Sequence, residues 1–204
     1  MKNIILFTTL LLMTSVTFAQ QTTPNHYKSR VIKTAFFAPL FNHLEIGYEQ
    51  ALNNKSVLDV SLGIIGPGVS HSAFDGKSKG AYVKAGTKFF FNPDFVIDGQ
   101  KRYNDFQGMY FEPQLIIGSF NTTYSYDPYY YGTTQSETYN TIDWSLNFNL
   151  GREFVLANCV SLNGYAGLGY GGTTGDVYCY SHVAAGNDFP ITATCGLTIG
   201  ILAK

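Results

Sequence analysis

Apolar and polar residues alternate along much of the chain, most regularly over residues 142–150. There, every even-numbered residue is large and apolar, such as Trp144 and Leu146, and every odd-numbered residue is polar, such as Asn147. Successive side chains of a β-strand point to opposite faces of the sheet. The pattern therefore predicts a strand with one apolar face and one polar face.

The same reasoning predicts eight strands in all. They cover residues 30–37, 44–49, 57–65, 81–91, 108–119, 142–150, 160–170 and 191–201. The expected fold is all-β: an eight-stranded antiparallel up-and-down transmembrane β-barrel, with apolar faces toward lipid and polar faces toward the interior. Pro113 has no N–H to donate, so we expect a bulge or a locally unpaired position in the fifth strand.

Residues 1–19 are typical of a cleaved secretory signal. Lys2 precedes an apolar stretch that is too short to span a bilayer as a helix, and Ala19 precedes the expected cleavage point. The predicted domains are the signal peptide at 1–19, a short periplasmic segment at 20–29, and the barrel at 30–204. An even strand count places both ends of the barrel on the periplasmic side.

Composition agrees with a surface that largely faces hydrocarbon. Only 13% of the residues are charged, against about 25% in soluble domains. The net charge of −1 and the lack of a basic run argue against nucleic acid as a partner. Three cysteines form neither a disulfide framework nor a zinc pattern. We therefore expect no cofactor and no metal.

Aromatic residues concentrate near the predicted strand ends. A membrane-interface belt at the periplasmic rim would comprise Phe89, Phe90, Phe91, Phe106, Tyr110 and Phe111. An outer belt would comprise Phe41, Phe120 and Tyr170. The alternative is that these rings form an ordinary core.

Charged residues on the predicted inner face are the main candidates for a site. Lys33, Lys84 and Lys88 are expected to meet a set of acids inside the barrel: Glu45, Glu49, Asp59, Glu112 and Asp143. The interior of an eight-stranded barrel is just wide enough for side chains, and buried charges must be paired. This predicts a filled polar core, with a proton or ion path as the alternative. Inward glycines such as Gly167 and Gly169 are expected to make room for larger side chains opposite.

One predicted outer loop is rich in tyrosine, with five in residues 124–131. Tyrosine combines a large contact area with a polar tip, which suits recognition of a protein or a glycan. We therefore consider Tyr129, Tyr130 and Tyr131 a candidate binding site. Equally, these rings are expected to pack on one another or on the barrel rim.

Part of the chain resembles a known class of proteins. The signal ends Phe18-Ala19-Gln20, and residues 33–49 read KTAFFAPLFNHLEIGYE. This segment resembles the opening hairpin of small outer-membrane barrel families of Gram-negative bacteria, most of them uncharacterised. The layout over residues 30–202 resembles the membrane domains of the OmpA and OmpX types. The resemblance implies an integral outer-membrane location and no enzymatic activity. Such barrels usually end on an aromatic residue, whereas this chain ends Ile201-Leu202-Ala203-Lys204.

The expected function is that of a monomeric outer-membrane barrel with a structural or adhesive role. One alternative is a secreted calycin-like binder, in which Trp144, Leu146 and Phe148 would face inward around a ligand. A second alternative is an outer-membrane lipid hydrolase. It would need His71 or His182 beside a carboxylate and a nucleophile, and sequence neighbours such as Ser70 do not guarantee that geometry.

Overall fold

The computed structural model describes residues 28–67, 76–91, 104–126, 135–174, 184–186 and 189–203. Most of them lie in nine strands: β1 Arg30–Ala35, β2 His43–Ala51, β3 Ser56–Ile65, β4 Gly76–Phe90, β5 Gly108–Tyr126, β6 Gln135–Leu156, β7 Val160–Thr173, β8 Ala184–Gly186 and β9 Phe189–Ala203. One 3₁₀ helix, η1, covers Ala38–Phe41. No helix among these residues is long and apolar enough to cross a membrane.

Eight of these strands form a closed antiparallel barrel. Strands β1 to β7 pair in chain order, β7 pairs with β9, and β9 pairs with β1 to close the wall. The three-residue β8 pairs with β9. The predicted eight-stranded antiparallel barrel is therefore confirmed.

The pairing register sets how steeply the strands tilt. From Ile32 in β1, successive ladder partners lead around the wall to Ile191 in β9. The direct partner of Ile32 is Ile201, ten residues further along β9. In barrels, strand number, stagger and tilt are linked, and this offset corresponds to a tilt of about 40°.

The two ends of the barrel differ. We call the end that holds Arg30 and Ala203 proximal, and the opposite end distal. The proximal turn after β6 places Ala157 and Asn158 at positive φ, 48° and 55°, with a hydrogen bond from Cys159 N to Leu156 O of 3.0 Å. This geometry is that of a tight type I′ hairpin turn.

The distal rim is uneven. Strands β5 and β6 remain paired as far as Tyr126 and Gln135, whereas the pairing of β1 with β2 ends at Thr34 and Ile46. Both β5 and β6 extend further distally than the sequence predicts. Their extra outer-face residues, such as Asn121, are polar and exposed, so they do not alternate with apolar ones. For this reason apolar alternation could not detect the extensions.

The ladder between β4 and β5 is interrupted beside Pro113. Gly86 pairs with Gln114 and Phe89 pairs with Phe111, but the two positions between them on each strand are unpaired. The register is the same on both sides of the gap, so no residue is inserted. The predicted locally unpaired position is confirmed, and the missing proline N–H explains it.

The faces of the strands are arranged as the alternation predicts. In β6 the outward side chains of Trp144, Leu146 and Phe148 are 46%, 41% and 49% exposed, whereas Asn147 and Asn149 are 0% exposed. This facing is opposite to the one that the calycin-like alternative requires.

Two apolar clusters lie inside the barrel, one toward each end. The proximal cluster contains Val31, Val57, Phe90, Phe106, Tyr110 and Leu202. The distal cluster contains Ile65, Tyr82 and Phe120.

These clusters correct the predicted aromatic belts. Phe90, Phe106, Tyr110 and Phe120 are buried inside the barrel, so for them the belt interpretation was wrong and the core alternative holds. Phe89, Phe41 and Tyr170 are exposed, as a belt requires. Consecutive aromatics such as Phe89 and Phe90 must lie on opposite faces of a strand, so a whole run cannot join one belt.

Candidate functional site in the barrel interior

The main polar feature of the interior is a group of five buried residues, which we call the charged cluster: Lys33, Glu49, Asp59, Lys88 and Glu153. Lys33 Nζ donates to Glu49 Oε1 at 2.6 Å and to Asp59 Oδ2. Lys88 Nζ donates to the same Glu49 Oε1 at 2.6 Å and to Glu153 Oε2 at 2.8 Å.

The charged cluster connects five strands of the wall. Its members come from β1, β2, β3, β4 and β6. Ser161 on β7 extends it, because its hydroxyl donates to Glu153 Oε1. Lys88 Nζ also lies 4.7 Å from the centre of the Tyr110 ring, within range of a cation–π contact. All five charged members are at least 94% buried, so each depends on its partners for stabilisation.

A second ion pair lies further toward the distal end. Lys84 Nζ is 2.8 Å from Glu45 Oε2, and the same oxygen accepts a hydrogen bond of 2.7 Å from the Tyr82 hydroxyl. The Tyr82 ring packs edge-on against His43, with ring centres 5.8 Å apart. Tyr82 therefore joins this ion pair to the distal apolar cluster.

Uncharged side chains from β5, β6 and β9 occupy another part of the interior. We call this group the amide section; it contains Gln114, Ser145, Asn147, Asn149, Thr192 and Thr194. Thr192 Oγ1 donates to Asn147 Oδ1 at 2.6 Å, and Thr194 Oγ1 donates to Asn149 Oδ1 at 2.8 Å. These hydrogen bonds connect β9 to β6 across the intervening β7.

Glu112 lies at the border of the amide section. Its Oε1 accepts from Gln114 Nε2 at 3.2 Å, and its Oε2 accepts from Asn149 Nδ2 at 3.4 Å. These donors are neutral amides, and the contacts are longer than those of Glu49. Glu112 is thus a buried acid whose described hydrogen bonds come from neutral groups.

Glycines provide room for the large inward side chains. Tyr82 lies opposite Gly63 on the neighbouring strand, and a Cβ at Gly63 would be 2.0 Å from the ring. Tyr110 is placed in the same way over Gly151, where a Cβ would be 2.4 Å from the ring. The expectation that inward glycines make room for opposing side chains is confirmed at these two positions. At Gly167 and Gly169, the glycines named for it, the side chains opposite are those of Asn149 and Asn147.

The sequence matches one protein family over most of its length. A family model described as "Protein of unknown function (DUF3575)" matches residues 5–196. The chain belongs to this family. A search of curated proteins gives no match to this DUF3575 chain.

Solved structures similar to the DUF3575 chain include two bacterial barrels. The N-terminal β-barrel domain of Pseudomonas aeruginosa OprF is 12% identical, with a TM-score of 0.39, covering 87% of this chain and 98% of that one. Ail, the attachment invasion locus protein of Yersinia pestis, is 13% identical, with a TM-score of 0.38, covering 85% and 93%. At these values neither likeness adds to what the strand pairing establishes. The expected likeness to OmpA and OmpX holds at the level of barrel architecture, and the family shown is DUF3575.

Six of the predicted interior residues meet in the ion pairs of this DUF3575 barrel: Lys33, Glu45, Glu49, Asp59, Lys84 and Lys88. Glu112 is buried as predicted but contacts amides. Asp143 is half-buried and lies nearer the distal end of β6, opposite Gly118 and Thr173.

Glu153, which pairs directly with Lys88, was not among the predicted interior residues. The sixth strand was predicted to end at residue 150, but β6 continues to Leu156. The alternation does continue, since Gly151 and Glu153 are buried and Phe154 is exposed. That continuation is the signal that could have identified Glu153.

The remaining predicted site residues lie outside the described part of the chain. They are Tyr129, Tyr130, Tyr131, Ser70, His71 and His182. The loop site and the hydrolase alternative therefore stay predictions.

Proposed function

We propose that this chain is a monomeric integral outer-membrane β-barrel with a filled polar interior. It stabilises the membrane structurally and presents its distal loops for contact with an extracellular protein or glycan. The observation that carries the proposal is the outward face of the barrel, which is apolar around the whole wall.

The outward apolar side chains come from all eight wall strands. They include Ile32, Ile46, Leu62, Val83, Ile117, Leu146, Leu168 and Ile201, each more than 40% exposed. Contiguous apolar patches on soluble monomers rarely exceed a few hundred Å². A band that encircles the protein needs an apolar environment, and outer-membrane lipid supplies it.

The height of the band supports the same proposal. On β6 the outward residues are apolar from Ile142 to Leu150, and a tilted transmembrane strand needs about 9–11 residues. On the distal side of Ile142, the outward residues Asn140 and Thr138 are polar and exposed. The uninterrupted apolar stretch, bounded by Asn140 distally and Arg152 proximally, therefore has the length expected of a strand that crosses a bilayer's hydrocarbon core.

The interior supports a structural role. Among the described residues, the three buried lysines are each within 3 Å of a carboxylate oxygen, and an apolar cluster lies toward each end of the interior. Eight strands leave little space beyond that needed by side chains. The proposal therefore includes neither catalysis nor transport through the barrel.

Membrane fractionation tests the location. We expect the mature protein to remain in the outer-membrane fraction after washing with alkaline carbonate and to require detergent for release, because its apolar band has no other cover. Recovery as a detergent-free soluble protein would contradict the proposal.

The adhesive part of the proposal rests on the tyrosine-rich loop. We expect a Tyr129→Ala/Tyr130→Ala/Tyr131→Ala variant to lose binding of intact cells to an array of immobilised glycans and matrix proteins. The matched triple Phe variant keeps the ring area and separates it from the hydroxyls. If the triple Ala variant binds like the wild type, this loop has no role in adhesion.

A further inference from the structure

The β1–β2 connection is the most apolar part of the distal rim. In residues 34–42 there is no charged side chain, whereas the sequences of the other three distal connections each contain an aspartate: Asp75, Asp127 and Asp176. Four large apolar side chains of the β1–β2 connection are exposed: Phe36 at 54%, Phe37 at 45%, Leu40 at 51% and Phe41 at 55%. Such a surface is unfavourable in contact with water.

The connection also begins low on the wall. Phe36 N donates to Leu197 O of β9 at 2.9 Å. From Leu197, β9 continues six residues distally to Ile191, which is 58% exposed and outward. Six residues span about 20 Å of strand, or about 14 Å along the barrel axis at this tilt. The apolar band on β9 thus extends well beyond the level at which β1 ends.

The apolar surface of the connection is continuous with that band on its other side. Leu44 on β2 and Ile64 on β3 are ladder partners, and both are exposed and outward. The connection is therefore bordered by lipid-facing positions on β9 and on β2–β3.

The backbone of the connection is suited to hydrocarbon. Non-helical backbone at membrane depth is tolerated only where its polar groups are satisfied by the protein. Leu40 N donates to Phe37 O at 3.0 Å, and Asn42 N donates to Ala38 O. Pro39 has no N–H, and Asn42 O accepts from Gly66 N at 2.8 Å. The turn thus bonds the N–H groups of Leu40 and Asn42 internally while it presents apolar side chains.

We propose that the β1–β2 connection lies within the outer leaflet and contacts the acyl chains of its lipids, while the β5–β6 side of the rim extends into water. This inference rests on the proposed membrane location. The distal rim then has a low side, on which lipid covers the β1–β2 connection. It also has a high side, on which β5 and β6 extend beyond the membrane into water.

Fluorescence quenching tests this placement, because the chain has a single tryptophan, Trp144, on the lipid-facing band. The first reporter is the wild-type protein in phosphatidylcholine vesicles with brominated acyl chains. The second carries Trp144→Phe and Phe41→Trp. A third carries Trp144→Phe and Asn140→Trp, which places the reporter on the high side. Leu40→Trp replaces Phe41→Trp if the latter does not fold.

We expect the reporter at position 41 to lose the same fraction of fluorescence to brominated lipid as Trp144 does. The reporter at position 140 should instead be quenched by aqueous acrylamide. If Trp144 is quenched by lipid and position 41 only by acrylamide, the inference is overturned and the membrane location stands. If brominated lipid does not quench Trp144 either, the proposed function fails and the inference fails with it.

Discussion

The charged cluster and the amide section fill the same barrel with different chemistry. In the cluster, Glu49 Oε1 is shared by two lysines at 2.6 Å. In the amide section, neutral donors and acceptors pair one to one, as Thr192 does with Asn147. Truncating a charged member leaves its ionic partner buried with fewer opposite charges. Truncating a neutral member leaves only a buried hydrogen-bonding group without its partner. Residues that are buried to the same extent therefore differ in how much their replacement lowers the free energy of unfolding.

The largest effect is expected for Lys88→Met. The variant keeps most of the side-chain volume but leaves Glu49 and Glu153 without a shared cation, because Lys88 contacts both. Breaking a buried ion pair by removing one partner costs about 3–5 kcal/mol. Urea unfolding in lipid vesicles, followed by Trp144 fluorescence, measures the loss.

The matched control for that variant is Lys55→Met, at an exposed lysine in the β2–β3 turn. A surface substitution of this kind should change the unfolding free energy by no more than about 0.5 kcal/mol. Equal effects of the two variants would show that the charged cluster contributes nothing particular.

An intermediate effect is expected for Thr192→Val in the amide section. Valine has nearly the shape of threonine, so the variant removes the hydrogen bond to Asn147 Oδ1 with little change in packing. Leaving a buried acceptor unsatisfied costs about 1–3 kcal/mol, which should be seen in the same unfolding assay. The control is Thr123→Val, whose hydroxyl bonds Thr138 at an exposed position, where water can replace it. If Thr192→Val lowered the unfolding free energy as much as Lys88→Met does, the charged cluster would contribute no more to stability than the amide section.

The smallest effect is expected for Glu112→Gln, at the border between the two regions. Its described hydrogen-bond donors are the amides of Gln114 and Asn149, and a glutamine oxygen can accept from them as well. We expect a change within about 1 kcal/mol, since removing a buried charge with neutral partners costs little or is favourable.

Glu49→Gln is the reference for that result, because Glu49 faces two lysines. The unfolding free energy should fall more for Glu49→Gln than for Glu112→Gln. Equal losses would mean that neutral amides stabilise a buried carboxylate as well as lysines do.

The wall of the barrel was largely predictable from the sequence because alternation reports facing directly. Positions such as Leu146 and Asn149 were assigned to the correct faces without any knowledge of their neighbours. The distal parts of β5 and β6 were not predicted, since their outer-face residues, such as Asn121 and Asn140, are polar there. Apolar alternation therefore predicted which strands form, but not how far each strand extends.

The interior site was predictable in composition but not in pairing. Alternation placed Lys33, Lys88 and Glu49 inside, but pairing depends on the register and on how ten residues of stagger are distributed around the wall. Asp143 was assigned to the correct strand but lies nearer the distal end than Glu153, which takes the place beside Lys88. Facing is a property of one strand, whereas contact is a property of the closed sheet.

The position of Lys33 favours the native register of β1, the strand that closes the barrel. Lys33 lies on β1, the strand that completes the wall by pairing with β9, and it reaches carboxylates on both β2 and β3. If β1 slipped by one residue, Lys33 would point to the apolar outer face of the barrel. A slip of two residues would move it about 7 Å along the strand, beyond the reach of both acids. Misaligned closure would thus either turn the Lys33 ammonium to the apolar outer face or remove its contacts with Glu49 and Asp59, and the native stagger avoids both penalties.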